Sequence, residues 1–562
     1  VDTPHAADPV PDHAAPDVAW GAFSARGPWT LERSALPWRD HVGRLRAEVE
    51  GEVPELTRRV VLPPGRRLGT TVVHLGGAVA RWGMGARRRG GSASRRDLAR
   101  RLRVAAEHLG PSYIKLGQIV SSGRGLFPDE LVDEFSSLRD RVQPEPFAVV
   151  RTVIEEDLGR PLTEVFATFE RRPIASASIA QVHAAVLRTG EAVVVKVQRP
   201  TVAARVRADL RVMSWLAPFL VGRIPVAALA NPPALVELFA ETIAEELDFR
   251  LEADNMLEVG RSFAELGQRG YVVPRPHPEL VTRRVLVMER LEGFAFDDVV
   301  GMRGAGIDTE AVVRTGMIGF LEGAMLNGIF HGDLHGGNLL VLADGRTGLL
   351  DFGITGRLTE LERQAFLRLL VGGSMNDVAT QLAALRDLGA LPPDADLDAL
   401  TTELGLDLPP VDPTTLSPEQ LTAEIQRVVR ALLSSGARLP KPLMLFVKNL
   451  VFLDGAIATL APDLDLFAEI AAIALYFNSR HGARIAAEAG LGDAAWDLDL
   501  SGLAASVGID ASDPTGPQGL THRELQDRRK QLRDKVERVP GRRRGLVRSL
   551  VRRRRRRRRR PR

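Results

Sequence analysis

The segment from His331 to Gly353 reads HGDLHGGNLLVLADGRTGLLDFG, and it sets Asp333 and Asp351 eighteen positions apart with Asn338 between them. Side chains that offer only oxygen suit a hard divalent cation such as Mg2+, which needs neither His nor Cys. Phosphoryl transfer asks for that set. Phosphates must be held, charge neutralised and the acceptor oriented, with little covalent work for the protein. DFG alone would be an ordinary strand end and HGDLHGGN alone a polar turn; their combination, joined by a hairpin, is what points to chemistry.

Order and spacing match the kinase pattern, in which an Asp followed five positions later by Asn gives the acceptor-orienting carboxylate and a metal ligand, and a later Asp-Phe-Gly gives the second ligand. Asp333 is therefore expected to orient the acceptor, and Asn338 and Asp351 to hold Mg2+. His331 and His335 are expected to be structural. Lys196, in AVVVKVQ, has alternating apolar neighbours that put it on a strand, where a kinase lysine contacts the α and β phosphates of ATP. The chain has 69 Arg and only 6 Lys. Lysine here is a choice of a compact point charge over a planar fork. No G-x-G-x-x-G precedes Lys196. PIASASIAQVH stands there instead, and Ala175, Ser176, Ala177 and Ser178 allow backbone to approach phosphate with less conformational freedom than glycine.

The elements that must position these groups are legible in outline. RRDLARRLRVAAEHLG and FPDELVDEFSSLRDRV have helical spacing and bracket PSYIKLGQIVSSGRGL. From Arg172 the period changes, and SIAQVHAAVLRTGEAVVVKVQRP reads as a hairpin turning at TG. RRVLVMERLEG reads as a buried strand. AETIAEELDFRLEADN reads as a helix whose glutamates face the lysine across the cleft, with Glu246 the favoured partner. From Asp308 helices dominate, interrupted by the opening segment: loop, strand NLLV, turn ADGRTG, strand LLD.

At 562 residues, more than one domain is expected. Without cysteine the chain has no disulfide, Cys metal site or thiol nucleophile. VDTPHAADPVPDHAAPD reads as a disordered leader rather than a signal peptide. Uncharged runs such as Leu68 to Ala80 fall short of a bilayer span of roughly 20 residues, so no transmembrane helix is predicted. Charge is split along the chain. Thr521 to Arg562 holds 21 basic and 4 acidic residues, so the first 520 residues carry −13 against an overall +4. Nine consecutive arginines, Arg552 to Arg560, suit an anionic membrane surface; nucleic acid is less favoured because stacking aromatics are absent there.

YIKLGQIVSSGRGLFPDEL, IASASIAQVHAA, VVVKVQRP, EELDFRLEADN, VLVMERLEG, FHGDLHGGNLLV and LLDFG together resemble the UbiB/AarF family of atypical, protein-kinase-like kinases. The likeness covers about Leu98 to Leu358 and, more loosely, the helices to about Leu466. It implies a KxGQ motif at Lys115, Gly117 and Gln118 on an extension folded over the active site against protein substrates. It also implies an alanine-rich nucleotide loop at Ala175–Ser178, an ATP lysine at Lys196 and an ExD motif at Glu246 and Asp248. Glu289 and Leu291, closing VLVMERLEG, complete the implied cofactor-binding set. Three departures stand out: Ser176 for the usual alanine, Gly336 for a common proline, and no paired C-terminal transmembrane helices.

The expectation is an α+β, two-lobed protein-kinase-like fold with a small β-rich N-lobe, a helical N-terminal extension and a large helical C-lobe. Its parts are a variable, partly disordered leader (1–65), the KxGQ extension (66–145), the N-lobe (146–292), the C-lobe (293–500) and a linker with the basic tail (501–562). The expected function is Mg-ATP hydrolysis or phosphotransfer in support of ubiquinone, menaquinone or related lipid metabolism. A quinone or lipid precursor is the expected partner, and the expected location is cytoplasmic or peripheral at the inner face of the cell membrane. Catalysis would rest on Asp333, Lys196 and Glu246. The rivals are a Ser/Thr protein kinase, against which the alanine-rich loop and KLGQ argue, and a silent nucleotide-binding scaffold, against which the intact metal ligands argue.

Overall fold

The computed structural model describes residues 36–58, 64–85, 91–121, 128–138, 143–220, 232–375, 377–406, 440–490 and 520–537, with isolated residues between 417 and 437. The acidic leader's first 35 residues, the linker GIDASDPTGPQG and the arginine tail lie outside them.

The strands are β1 (Phe166–Phe169), β2 (Ala175–Ser176), β3 (Ala180–Leu187), β4 (Ala192–Gln198), β5 (Tyr271–Val272), β6 (Pro276–Val281), β7 (Val285–Glu289), β8 (Phe294–Ala295), β9 (Ile329–His331), β10 (Leu339–Val341), β11 (Thr347–Leu349) and β12 (Thr355–Arg357). The N-lobe sheet runs β1-β3-β4-β7-β6, with β2 added to β3, and every pairing is antiparallel. β3 and β4 form the expected hairpin, with Val182 opposite Lys196. Side chains alternate between faces along a strand. Val193, Val195 and Val197 are buried beneath the helix Phe147–Leu158 through Val150, Val153 and Ile154. Lys196, out of phase with them, is left for the opposite face.

The glutamate-rich segment is two helices rather than one. Pro232–Glu245 ends, and Phe249–Glu265 begins after Asp248, whose carboxylate accepts the Arg250 N–H at 3.1 Å and so caps the second helix. An acidic N-cap outcompetes helix continuation there. Glu246 and Glu252 consequently stand on different elements.

The C-lobe packs the helices Thr309–Glu322, Glu360–Ser374, Lys441–Leu460 and Leu466–Ala489. Asp308 caps the first, and Thr359 with Glu362 forms a capping box on the second. Phe446 stacks on Phe320 at 5.0 Å between centroids and meets Phe366 edge-on at 4.5 Å. Helix Lys441–Leu460 is long and apolar enough, by length and composition, to cross a membrane. Its Leu445, Phe446, Leu453, Ala456, Ile457 and Leu460 belong to the main core.

The extension's helices Gly91–Leu109, Pro111–Ser121 and Asp129–Phe135 lie where helical periodicity placed two of them. Within the stretch expected to be a variable leader, helix Val42–Thr57 is formed, and Leu36, Trp38 and Val42 enter the main core. Arg39 and Arg46 both reach Asp254, at 2.8 and 2.9 Å.

Candidate phosphoryl-transfer site

Lys196 projects from β4 into the space between the sheet and the C-lobe. Its ammonium lies 2.7 and 2.9 Å from the two oxygens of Glu252 and 3.0 Å from Oδ1 of Asp351. Burial works against the ammonium, but Asp351 and Glu252 outweigh it and hold the pKa above the ordinary lysine value. This corrects the expected pairing with Glu246. Glu252, one turn into the capped helix, also accepts the Phe352 N–H at 3.3 Å, and Asn255 one turn on donates to the Phe352 carbonyl at 2.7 Å. One helix therefore holds both the lysine and the DFG segment.

Asp351 is the only non-glycine with positive φ among the described residues, at 57°. Such a backbone persists only where its surroundings enforce it. Three contacts do so: Lys196 on Oδ1, the Gly353 N–H on the same oxygen at 3.2 Å, and His331 Nε2–H donating to its carbonyl at 2.9 Å. Desolvation would raise the pKa of this carboxyl, whose side chain is still 43% exposed, but Lys196 and Lys115 outweigh that and hold it well below the usual carboxylate range. His331 Nδ1 accepts the Asp333 N–H at 3.1 Å, so the ring is a neutral brace between the two aspartates. His335 caps the following turn by accepting the Gly337 N–H at 3.1 Å.

Asp333 meets two lysines, Lys448 in an ion pair and Lys115 at 3.7 Å. Burial opposes its charge, yet Lys448, Lys115 and His335 keep its pKa far below normal. Lys115 arrives from helix Pro111–Ser121 and is 2.9 Å from Glu246. Burial pushes the Glu246 carboxyl up, and Lys115 offsets part of the shift. Gly117 explains its place in the motif: a Cβ there would overlap Leu138 and Phe135, so only glycine lets the helix seat this deeply. Gln118 is half-buried on the same helix.

Asn338 donates to the Asp333 carbonyl at 3.1 Å, which fixes its amide and directs its nitrogen, not its Oδ1, to the loop. The Leu350 N–H donates to the Asn338 carbonyl at 2.8 Å, which brings Asn338 next to the Asp351 segment. Among the described residues no cluster of three or more His, Cys, Asp or Glu makes a closed metal cage. Few protein oxygens suit Mg2+, which keeps waters and takes substrate phosphates.

The alanine-rich segment is the tip of the β2–β3 hairpin. Ala175 pairs with Val182 and Ser176 with Gln181, and the Ala177 N–H donates to the Ala180 carbonyl at 2.8 Å. Arg199 ties this tip down, donating to the Ala177 carbonyl at 3.2 Å and the Ser176 hydroxyl at 2.9 Å. Ser178 is buried. Glu289 ends β7 with its carboxylate accepting the Arg275 N–H at 3.2 Å, while Leu291 approaches Gly348 of β11. Asp248 of the ExD motif acts as a helix cap bound by Arg250 and does not join the cleft cluster.

Sequence reasoning missed Glu252, Lys448 and Asn449. Asn449, wholly buried, accepts the Leu334 N–H at 3.1 Å and donates to the His331 carbonyl, clasping the loop on both sides of Asp333. A signal existed. Of six lysines, four meet carboxylates here or beside it: Lys115 with Glu246, Lys196 with Glu252, Lys441 with Glu245 and Lys448 with Asp333.

A family model described as the ABC1 atypical kinase-like domain matches residues 137–383. An uncharacterized protein of Mycobacterium tuberculosis is 36% identical over 371 residues, covering 64% of this chain and 74% of the relative. A probable protein kinase UbiB of Marinobacter nauticus is 34% identical over 372 residues, 65% of this chain and 68% of the relative. An uncharacterized aarF domain-containing protein kinase of Arabidopsis thaliana, chloroplastic, is 34% identical over 393 residues, 65% and 72% respectively. With the two-lobed α+β fold and this cleft, these relatives show that the chain belongs to the ABC1 atypical kinase-like family, that of the UbiB and aarF-domain kinases.

Proposed function

We propose that this chain is a UbiB-like atypical kinase or ATPase that binds Mg-ATP in the cleft between its lobes. The observation that carries the reading is the meeting of Lys196, Glu252 and Asp351 on one side with Asn338 and Asp333 on the other. Lys196 would hold ATP phosphates, kept in place by Glu252. Asn338 and Asp351 would hold Mg2+, which neutralises charge on the β and γ phosphates when bound. Asp333, kept ionised by its lysines, would orient the acceptor and accept its proton.

Lys115 over Asp333 favours ATP hydrolysis or transfer to a small acceptor over a protein hydroxyl, because a folded substrate would have to displace the Lys115–Glu246 pair. The family names support a role in isoprenoid-quinone or related lipid metabolism, with a quinone or lipid precursor as partner. The arginine tail would hold the protein at an anionic membrane surface. The test is ATP turnover by the full chain, with and without anionic liposomes and a phenol-like quinone precursor, alongside thermal stabilisation by Mg-ATP in wild type and Asp351→Asn. Turnover with stabilisation lost in the variant is expected. Equal stabilisation of the two would overturn the metal assignment, and a wild type that neither binds nor hydrolyses ATP would overturn the function.

A further inference from the structure

The helix Lys441–Leu460 is mostly apolar, yet at its middle it carries Lys448 and Asn449 side by side. A lysine among core-facing residues is costly unless its charge is matched. Here it is matched by Asp333, the acceptor-orienting carboxylate of the proposed reaction. The placement is fixed from both ends. Phe446, two positions before Lys448, is locked among Phe320, Phe330 and Phe366. Asn449, one position after, grips the Leu334 N–H and the His331 carbonyl. The ammonium is thus held at Asp333 by the packing of a helix 115 residues away in sequence, outside the 137–383 segment that matches the family model.

An ionised carboxylate that must approach a transferring phosphoryl group faces three anionic oxygens in a water-poor cleft, where unscreened repulsion is strong. A cation must stand between them. His335, the nearest basic group on the loop itself, has Nε2 4.0 Å from Asp333, a side chain 46% exposed, and its other nitrogen occupied as a turn cap. Lys115 is 3.7 Å away and committed to Glu246 at 2.9 Å. Lys196 serves Glu252 and Asp351.

We propose that Lys448 is a catalytic cation of this site, bridging the Asp333 carboxylate and the oxygens of the phosphoryl group in transfer; this rests on the phosphoryl-transfer reading above. In that step a lone pair of the acceptor oxygen forms the new bond to the terminal phosphorus as the bond to the bridging oxygen breaks. The bridging oxygen leaves on ADP with the electron pair, and the acceptor's proton passes to Asp333 and then to solvent. Lys448 keeps its three protons throughout, contributing charge that matters most when the oxygens are closest.

The experiment compares wild type, K448M and K448R in steady-state ATP turnover, with Mg-ATP thermal stabilisation measured on each. Removing one preorganised donor to developing charge typically lowers kcat about 100-fold or more. K448M is expected to lose that much in kcat while KM for ATP stays within about threefold, and K448R to regain at least about tenfold of the loss. A merely structural lysine would show a parallel loss of nucleotide binding, or no kinetic effect, and either result overturns the assignment. Should K448M fold too poorly to assay, K448R decides: turnover retained in a folded protein supports the cationic role, and turnover abolished overturns it. Wild type active with K448M equally active removes Lys448 alone; wild type without Mg-ATP binding or turnover removes the phosphoryl-transfer reading and this inference with it.

Discussion

The partnership of Lys196 with Glu252, rather than with Glu246, can be measured by a double-mutant cycle. The side chains are 12% and 3% exposed, and the ammonium contacts both carboxylate oxygens at 2.7 and 2.9 Å. Removing one partner of such a buried pair typically costs about 3–5 kcal/mol, because the other charge is left uncompensated. Two features moderate this. Asp351 at 3.0 Å remains beside the lysine, and glutamine at 252 still offers an oxygen to the Phe352 N–H. Glu252→Gln is therefore expected to cost about 2–3 kcal/mol, near the worth of the charge-assisted hydrogen bonds it loses. The coupling of Lys196→Met with Glu252→Gln should reach at least about 1.5 kcal/mol, and that of Lys196→Met with Glu246→Gln should stay below about 0.5 kcal/mol, as for groups without direct contact. Urea unfolding followed by tryptophan fluorescence reads both cycles, since Trp38 sits in the main core. Stronger coupling to Glu246, or a Glu252→Gln cost under about 0.5 kcal/mol, would refute the pairing.

Gly117→Ala forces a methyl against Leu138 and Phe135; it should destabilise the chain by about 1–3 kcal/mol and weaken the Lys115–Glu246 contact, and a melting temperature equal to wild type would contradict the close packing. Three ammoniums (Lys115, Lys196, Lys448) face four carboxylates (Glu246, Glu252, Asp333, Asp351) in the cleft, and burial pushes Glu246 up to about 7 against the pull of Lys115. The folded state then holds a proton that the unfolded chain releases, so stability should fall as pH rises from about 4.5 to 7, relative to Glu246→Gln; parallel pH profiles of the two melting temperatures would show that no such proton is held. Deleting Val551–Arg562 should abolish sedimentation with anionic liposomes and leave Mg-ATP binding intact, and raising salt should mimic the deletion because exposed charges are screened over roughly 8 Å at 0.15 M; a tailless chain that still sediments would move the membrane contact into the folded body.

Local sequence determined much of this protein. The β3–β4 hairpin, the two extension helices and a strand-turn-strand after Asn338 follow from periodicity and turn chemistry, which act over a few residues, although the second strand lies at Thr347–Leu349 rather than at the expected LLD and leaves Asp351 beyond its end. The spacing from Asp333 to Asn338 and Asp351 is a property of one loop and one hairpin, so it too was legible in a linear chain. Pairing across the cleft was not. Glu246 is the partner that the linear sequence favours and Glu252 goes unnoticed there, because only the break at Asp248 splits the segment, sending Glu246 to Lys115 and Glu252 to Lys196. Lys448 and Asn449 sit in an apolar helix that reads as core, and only packing of the phenylalanine cluster brings them to Asp333. The left-handed backbone of Asp351 likewise depends on contacts from β4, β9 and the capped helix at once. Sequence sets residue type and local geometry; which buried charge meets which is decided by tertiary packing, because a salt bridge in a low-dielectric cleft forms only where the whole fold brings both partners together and excludes water.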